Sequence, residues 1–373
     1  MSSKAKAILK KYPLCSRCLE RQVRLKAKYP TDTKECFICG NFFEHINDVV
    51  KTVATALNEY EFQTFSIGLS APNEWIEKED MIRSEFKLRG VHNIKSEASH
   101  ALTLELSRVL NKRLDRFDPD VVAIVDVVSR DVKVLAKSVY LFGRYTKSKR
   151  GLPQKQPRCK VCRGRGCPEC GYTGKEKQMS VEQLLSQRLL NIFKGSKVTF
   201  SWCGSEDEQS LVLGEGRPFY VEVHNPKKRN LPSLNLPFKL GFGVKLKQLT
   251  LLAAKPEKMP SFRSEVFARV LFQSKPDKKR LKEASALLER SEIYQASLSK
   301  RKTYVKKIYL FKIRVVGCKG FIRFICDGGL SIKRFLTGAG EPITPNLPSL
   351  LGVNIDLDKH KPFDILDVML EGF

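Results

Sequence analysis

Apolar residues recur with two different spacings in the first part of the chain. Between residues 41 and 60 they lie at helical intervals, which predicts an amphipathic helix. The apolar positions of this helix are Phe43, Ile46, Val50, Val53 and Leu57. A strand-like run follows at 61–70, a second helix at 99–114, and two or three strands within 118–145. This alternation predicts one α/β domain of roughly a hundred residues.

The later part of the chain carries mostly strand-like runs. They lie at 197–203, 210–223, 241–252, 263–273, 303–316, 320–326 and 364–370. Two helices interrupt them, one at 180–193 with Ser180 as its N-cap and one at 278–293. A Gly-, Pro- and Cys-rich connector at 146–175 separates the two parts. The pattern therefore predicts a multidomain α+β protein whose second part is a largely antiparallel sheet.

The net positive charge of the chain indicates a polyanionic partner. The chain has 67 Lys and Arg residues against 40 Asp and Glu residues, a formal net charge of +27. Such an excess favours nucleic acid over a membrane, because no basic amphipathic segment with a strong apolar face stands out. A generally lysine-rich surface is the other interpretation. Without a long apolar run or a secretory signal, we expect no membrane segment and a cytoplasmic location.

Eight of the eleven cysteines form four C-x-x-C pairs, which indicates metal binding in a reducing compartment rather than disulfides. The first two pairs, separated by seventeen residues, have the spacing of a structural zinc ribbon. The ligands are Cys15, Cys18, Cys36 and Cys39. The remaining cysteines, Cys203, Cys318 and Cys326, are expected to be buried thiols.

The second cysteine set lies in the connector, with only four residues between its pairs. Its members are Cys159, Cys162, Cys167 and Cys170. Gly164 and Gly166 allow the tight curvature that so short a loop needs. A second structural zinc site is one interpretation, and a weaker or mixed site in a strained loop is the other. Neither set has the H-x-E that a catalytic deaminase zinc would require.

Three basic clusters are candidate RNA contacts. The segment 299–314 interleaves cations with Tyr304, Tyr309 and Phe311, as a strand that follows RNA would. An edge strand protected by lysines against aggregation is the alternative. The candidate RNA-binding residues of the three clusters are Arg144, Lys147, Lys149, Arg150, Lys227, Lys228, Arg229, Lys300, Arg301, Lys302, Lys306 and Lys307.

Four segments carry motif-like patterns. They are YLFGRYTKSKRGLPQ at 140–154, the cysteine-rich segment at 159–175, GSEDEQSLVLGEGRPFYVEV at 204–223 and CDGGLSIKRFLTGAGEPITPNLPSLLG at 326–352. In this order they resemble the archaeal and eukaryotic tRNA pseudouridine synthase family that acts on the TΨC loop, the "ten" class of pseudouridine synthases. The resemblance extends over nearly the whole chain.

The resemblance implies a domain order and a reaction. The domains would be a zinc-knuckle module at 1–40, a THUMP-type RNA-binding domain at 41–150, a Cys-rich connector at 151–178 and a pseudouridine synthase domain at 179–373. The reaction would convert uridine to pseudouridine in tRNA at position 55, with position 54 as a second target. It implies the T-arm of tRNA as partner, a monomer without an evident protein partner, structural zinc and no organic cofactor.

The resemblance also implies site residues. The family's catalytic aspartate falls on Asp207, and its base-stacking tyrosine is matched to Phe267. Arg217, Ser331 and Lys333 are the further substrate-binding candidates.

One departure from the family motif keeps a second function open. Ser205 stands where the family has an arginine, a residue that could hold a carboxylate or phosphate in a bidentate geometry. Arg217 could replace it if the segment 208–216 folds back. A tRNA-binding protein with lost or narrowed catalysis is therefore the alternative. A zinc-ribbon RNA-binding protein unrelated to the synthases would explain the charge and cysteines but not the ordered motifs.

Overall fold

The structure is a computed structural model that describes residues 3–24, 35–89, 92–176 and 178–371. The chain divides into two units. The first unit is Met1–Ser138 with Asn225–Arg229, and the second is Val139–His224 with Asn230–Phe373. The short segment 225–229 thus returns to the first unit in the middle of the second. Within the described ranges, no helix combines the length and the apolar character needed to cross a membrane.

The first unit packs helices on a four-stranded sheet. Its elements are α1 (Ser3–Lys11), α2 (Ser16–Val23), α3 (Ile46–Leu57), β1 (Thr64–Ser70), α4 (Glu74–Glu85), α5 (Ile94–Leu110), β2 (Arg113–Leu114), β3 (Val121–Asp126) and β4 (Val132–Ala136). The sheet order is β2-β1-β3-β4, with β1 parallel to both neighbours and β4 antiparallel to β3. Helix α5 begins where the Asn93 side chain accepts the N–H of Ser96 at 2.9 Å.

Helix α4 buries a charge. Glu79 is fully buried and accepts the N–H of Ile94 at 2.9 Å. The guanidinium of Arg83 lies 3.0 Å from the same carboxylate, and Arg21 forms an ion pair with it. A buried carboxylate needs such partners because they offset the free-energy cost of removing its charge from water.

The second unit is a large sheet with helices. Its elements are β5 (Val139–Lys147), α6 (Val181–Phe193), β6 (Lys197–Trp202), β7 (Val212–His224), β8 (Phe238–Gly241), β9 (Val244–Leu252), β10 (Phe262–Phe272), α7 (Lys278–Leu288), β11 (Glu292–Ser297), β12 (Lys302–Val316), β13 (Lys319–Asp327), α8 (Ile332–Thr337), β14 (Ile343–Thr344), α9 (Leu347–Leu351), β15 (Ile355–Leu357) and β16 (Phe363–Leu370). The strand order is β14-β11-β12-β13-β10-β16-β7-β5-β9-β8, while β6 joins β7 and β15 joins β10.

The large sheet is antiparallel except where β16 runs parallel to β7 at the pair Ile365 and Val212. The predicted α+β class with a largely antiparallel second part is confirmed. Ser180 caps α6 as predicted, because its hydroxyl accepts the N–H of Gln183 at 3.1 Å. Strand β5 pairs with β7 and β9, so it belongs to this sheet although the predicted domain boundary lies after it, at residue 150.

The two largest of the described apolar clusters in the second unit pack its helices on the sheet. One lies around β10, β13 and helices α7 to α9, and the other around β5, β7, β9 and α6. Cys326 and Cys203 are buried as expected. Cys318 is exposed, so its expected burial is wrong; it lies in the turn that joins β12 to β13.

Candidate functional site

The acidic stretch forms a loop between β6 and β7, residues 203–211, which we call the acid loop. Its Glu206 side chain is fully buried. Glu206 Oε2 accepts a hydrogen bond from Arg217 Nε at 2.8 Å and another from the Tyr145 hydroxyl at 2.8 Å. Charge-assisted hydrogen bonds of this kind offset the cost of burying a carboxylate.

Arg217 also holds the main chain of the loop. Its guanidinium donates to the carbonyl of Cys203 at 2.7 Å and to the carbonyl of Ser205 at 3.2 Å. The side chain is only 1% exposed. Arg217 therefore contacts the backbone of Ser205, the residue that stands where the family motif has its arginine, but its nitrogen atoms bind Glu206 and carbonyls rather than Asp207.

Lys147 completes this buried network. Its ammonium lies 3.6 Å from Glu206 Oε1 and donates to the carbonyls of Leu152 at 2.8 Å, Asp207 at 3.2 Å and Glu208 at 3.3 Å. Burial lowers the pKa of Lys147, against the opposing effect of Glu206. The RNA contact predicted for Lys147 does not fit a side chain with no exposed surface.

Asp207 forms an ion pair with Lys333 in α8. The Asp207 side chain is 17% exposed and that of Lys333 is 56% exposed. Asp207 Oδ1 accepts the N–H of Gln209 at 2.8 Å. Partial burial acts to raise the pKa of Asp207, but the Lys333 ammonium and the Gln209 N–H outweigh it and lower the pKa. Asp207 is therefore a carboxylate at neutral pH.

A second carboxylate, Asp364 of β16, fixes the end of the acid loop. Its side chain is 4% exposed and accepts hydrogen bonds from the two terminal guanidinium nitrogens of Arg150, at 2.6 and 2.9 Å. Asp364 also accepts a hydrogen bond from the Arg269 guanidinium at 2.9 Å and one from the N–H of Leu211 at 2.9 Å. Arg150 in turn donates to the carbonyl of Gln209. These contacts attach residues 209–211 to the central strands of the sheet.

A cavity of about 590 Å³ opens next to the acid loop. Ser205 of the loop, Phe262 of β10 and Ser331 at the start of α8 are among the residues that line it. Trp202 and Phe200 of β6 add further aromatic surface. The cavity thus combines three aromatic rings with a remaining lining that is mostly polar or charged, a mixture that suits a planar polar ligand such as a base.

The ion pair of Asp207 and Lys333 lies beside this cavity. Neither residue is among those that line it, but Ile332 and Arg334, on either side of Lys333, both are. Ser205, two positions before Asp207, lines it as well. The acid loop and α8 thus bring the predicted catalytic Asp207 next to Lys333 of α8 and close to the cavity that Ser331, the residue before α8, lines.

Phe267 is not among the residues that line the cavity, whereas Phe262 and Ser264 are. Successive side chains of a strand point to opposite faces, and the burial of β10 alternates from Ser264 onward. Phe267 instead stacks against Phe321, with ring centroids 6.5 Å apart. Phe262 borders, and Phe267 lies within, the strand-like run at 263–273, so the sequence does not single out Phe262.

The predicted RNA cluster at 143–151 is largely engaged inside the protein. The Arg144 guanidinium donates to the carbonyls of Gly216 at 3.0 Å and Val368 at 2.9 Å. Arg150 is bound to Asp364 as described above. Lys149 is exposed. Of the four predicted contacts in this cluster, Lys149 is thus the one with an exposed side chain.

The cluster at 227–229 forms ion pairs within the first unit. The pairs are Lys227 with Glu59, Lys228 with Glu61 at 3.2 Å and Arg229 with Asp120 at 3.6 Å. Lys227 and Lys228 keep about half of their side chains exposed, at 42% and 55%, while Arg229 keeps 19%. These contacts fasten the returning segment to the first unit.

The cluster at 300–307 has the most exposed cations of the three. Lys300, Arg301 and Lys302 are exposed in the hairpin between β11 and β12. Lys306 donates to the carbonyl of Gly328 at 2.7 Å, and Lys307 lies 3.7 Å from Glu292. The edge-strand alternative stays open for this segment, because β12 pairs with β11 through residues 302–307 and with β13 through residues 308–316.

Two groups of four cysteines have the geometry of metal sites. Within each group, all the sulfur atoms lie within 4.8 Å of one another. A tetrahedral site with Zn–S bonds of about 2.3 Å separates its sulfurs by about 3.8 Å. The first group, at Cys15 to Cys39, is buried in the core of the first unit, with Cys15 and Cys39 sulfurs 3.7 Å apart. The donor set therefore fits a structural metal ion.

The second group fits a metal equally well. The sulfurs of Cys159 and Cys167 are 3.9 Å apart, and those of Cys162 and Cys170 are 3.8 Å apart. Burial opposes ionisation of Cys170, but N–H groups of Cys167 and Gly174 that donate to its sulfur outweigh burial and lower its pKa to about 6. A thiolate is the form of cysteine that binds metal.

Glycine makes the short second loop feasible. Gly164 and Gly174 approach so closely that a Cβ on Gly174 would lie 2.5 Å from the Gly164 carbonyl oxygen. Gly164 also has φ +100°, which side chains disfavour. The four-residue spacer can therefore bring both pairs to one centre.

Two family models match the chain. The model described as "Pus10 THUMP domain, archaeal" matches residues 49–126, and the model described as "Pus10, C-terminal" matches residues 140–369. The chain is thus a protein of the class that joins a THUMP domain to a Pus10-type C-terminal domain.

Full-length relatives agree with this assignment. A protein of Nitrosopumilus maritimus named "tRNA pseudouridine synthase Pus10" is 33% identical, covering 98% of this chain and 97% of its own. Proteins of the same name from Pyrococcus furiosus and Methanopyrus kandleri are 27% and 28% identical, over 98% and 92% of this chain and 96% and 82% of theirs. The chain belongs to the Pus10 family, and the resemblance drawn from its four motifs is confirmed.

Among solved structures, the "Crystal Structure of a Cbf5-Nop10-Gar1 Complex" is similar over 50% of this chain and 45% of that chain, at 14% identity. Its TM-score is 0.29, which is too low to define the fold.

Proposed function

We propose that this protein is a tRNA pseudouridine synthase that isomerises uridine in the TΨC loop, at position 55 and with position 54 as a second target. Asp207 is the catalytic residue. The observation that carries the proposal is the Asp207–Lys333 pair beside a mostly polar cavity that three aromatic residues help to line. Family membership and the names of the relatives support the same reaction.

The reaction breaks the bond between C1′ and N1 of uridine and forms one between C1′ and C5; C5 then loses its proton and N1 gains one, so the product is an isomer. A carboxylate near C1′ and the base serves this change either as a nucleophile or as a base and electrostatic stabiliser. Asp207 has the required charge, because Lys333 and the Gln209 N–H keep its pKa low. The target nucleotide must leave the stacked loop to reach it, and the cavity offers aromatic rings to receive the base.

The buried network beneath Asp207 supplies rigidity. Glu206 is fixed by Arg217 and Tyr145, and Lys147 holds the carbonyl of Asp207 itself at 3.2 Å. A catalytic carboxylate on a loop needs such support to keep its geometry between turnovers.

The test uses unmodified tRNA transcripts and matched variants of neighbouring carboxylates. Asp207→Asn removes the proposed catalytic charge, while Glu208→Gln makes the same change at an exposed position of the same loop. Pseudouridine is mapped by carbodiimide modification and primer extension. We expect product with wild type and Glu208→Gln, and none with Asp207→Asn. Transcripts carrying cytidine at position 54 or 55 assign the target.

The alternative function gives a different result in this assay. A tRNA-binding protein with lost catalysis would bind the transcript tightly, and neither wild type nor variant would form product. Product formation by Asp207→Asn at the wild-type rate would contradict the role of Asp207. Binding alone does not separate the two functions, since both predict it.

We also propose that Phe262, and not Phe267, stacks on the target base. The two phenylalanines form a matched pair on one strand, and Phe262 is the one that lines the cavity. We expect Phe262→Ala to lower the single-turnover rate by at least about fivefold, since one base–aromatic stack is worth about 1–3 kcal/mol. Phe267→Ala should leave that rate within a factor of about two. The reverse ranking would restore the assignment to Phe267.

The proposal extends to the metal and to the assembly. Zinc fits both cysteine groups because their donors are four thiolates at tetrahedral spacing. Metal analysis of the purified protein should find two zinc ions per chain.

We further propose a monomer that acts on the T-arm in the cytoplasm, where thiols stay reduced. Light scattering of the protein alone and with tRNA checks the monomer.

A further inference from the structure

Residues 156–176 form a small separate lobe, which we call the cysteine module. Its two ends meet in a short antiparallel β-bridge between the backbones of Arg158 and Lys175. Next to this bridge, the Glu176 N–H donates to the Pro157 carbonyl at 2.9 Å. The apolar cluster of the module consists of its four cysteines. The rest of the module is therefore largely surface.

That surface is strongly basic. Its exposed cations are Arg158, Lys160, Arg163, Arg165 and Lys175. The module has two carboxylates, Glu169 and Glu176, and Lys160 lies 3.5 Å from the second. Throughout residues 3–24, 35–89, 92–176 and 178–371, the three arginines have no ion-pair partner. This contrasts with the predicted clusters at 143–151 and 227–229, whose arginines are bound within the protein.

The module adjoins the proposed active site along the chain. Gln154 and Lys155 line the cavity, and the module begins at the next residue. Lys155 is itself exposed. An RNA whose uridine occupies the cavity would therefore have its flanking backbone within reach of this segment. Tyr172 of the module, 77% exposed, adds an aromatic surface of the kind that stacks on unpaired bases.

We propose that the cysteine module binds the phosphate backbone of the substrate RNA through Arg158, Arg163 and Arg165. The inference rests on the proposed function, because the partner is the same RNA. Guanidinium groups suit this role, since each can donate two parallel hydrogen bonds to one phosphate. The module is then a second point of attachment beside the cavity, additional to the exposed hairpin at 300–302.

A competing role for the arginines is charge compensation. Four thiolates around one divalent ion carry a net charge of −2, and nearby cations offset it. In that case their removal would weaken metal retention and leave RNA binding unaffected. The experiment must therefore measure both properties.

The test variant is Arg158→Gln, Arg163→Gln and Arg165→Gln combined in the full chain. The control combines Lys278→Gln, Lys279→Gln and Lys282→Gln, which removes the same charge from exposed positions of α7. For each protein we would measure kcat and KM on unmodified tRNA transcript, the salt dependence of tRNA binding, and the zinc content. Comparable zinc content in variant and wild type also reports that the module is folded.

We expect the arginine variant to raise KM about tenfold with kcat and zinc content unchanged. The plot of the logarithm of the tRNA association constant against the logarithm of salt concentration has a negative slope, and the magnitude of this slope should decrease by about 2–3 relative to wild type. The control should change neither. An unchanged KM and slope, or a loss of zinc without a change in tRNA binding, would overturn the proposal. A wild type that forms no pseudouridine would refute the proposed function, and the binding slopes would still decide the role of the module.

Discussion

Replacing Glu206 by glutamine should destabilise the second unit strongly. This side chain is the carboxylate between two buried cations, Arg217 at 2.8 Å and Lys147 at 3.6 Å. All three side chains are at most 1% exposed, so water cannot take over the lost charge. Breaking a buried ion pair by removing one partner costs about 3–5 kcal/mol. We expect a loss in that range, because two cations are left without their anion.

The assay can be confined to the second unit. The chain has two tryptophans, Trp75 in the first unit and Trp202 in the second. A Trp75→Phe background leaves Trp202 as the sole tryptophan reporter, and its ring lies 5.7 Å from that of Tyr145, the partner of Glu206. Urea unfolding followed by this fluorescence gives the free energy of unfolding.

Glu208→Gln in the same background is the control. Glu208 is exposed, so the change should alter the free energy of unfolding by no more than about 0.5 kcal/mol. A Glu206→Gln loss below about 1 kcal/mol, or one equal to that of the control, would refute the reasoning. It would mean that the buried network does not hold the acid loop.

Three further predictions concern charge and metal. Lys333→Met should move the acid limb of the single-turnover rate to higher pH, because it removes the group that most lowers the pKa of Asp207. Asp364 also has a lowered pKa, so its contribution to stability is present above about pH 4 and lost as the pH falls through its folded-state pKa. Asp364→Asn should therefore reduce stability at pH 7 and weaken its acid dependence, as urea unfolding across pH would measure. Cys18→Ser should lower the melting temperature of the first unit, since Cys18 lies in that unit's core, whereas Cys162→Ser should cost one zinc ion without that shift.

The strands and the site motifs were largely predictable because their signals are local. Alternation marks a strand wherever it occurs, and Ser180 caps its helix through a contact three residues away. Helix α4 was not predicted, because its buried face includes Glu79, whose partners lie far away in sequence. An ionic group on an inner face interrupts the apolar period on which prediction depends.

Side-chain burial limited the prediction of the site. Lys147 belongs to a basic run and was predicted to bind RNA, yet the sheet places it against Glu206. Phe262 and Phe267 are both aromatic residues of one strand, and the sequence does not show which face meets the cavity. Such choices depend on pairing between distant strands, which no local pattern records.

The return of residues 225–229 to the first unit has a consequence for synthesis on the ribosome. The side chain of Asn225 accepts the N–H of Ala136 at 2.6 Å, and Arg229 pairs with Asp120. These contacts cannot form when residue 138 leaves the ribosome; they wait until the whole stretch Val139–His224 has been translated. The N-terminal unit is therefore completed only after several strands of its successor exist, and the two halves of the protein mature in overlapping rather than consecutive steps.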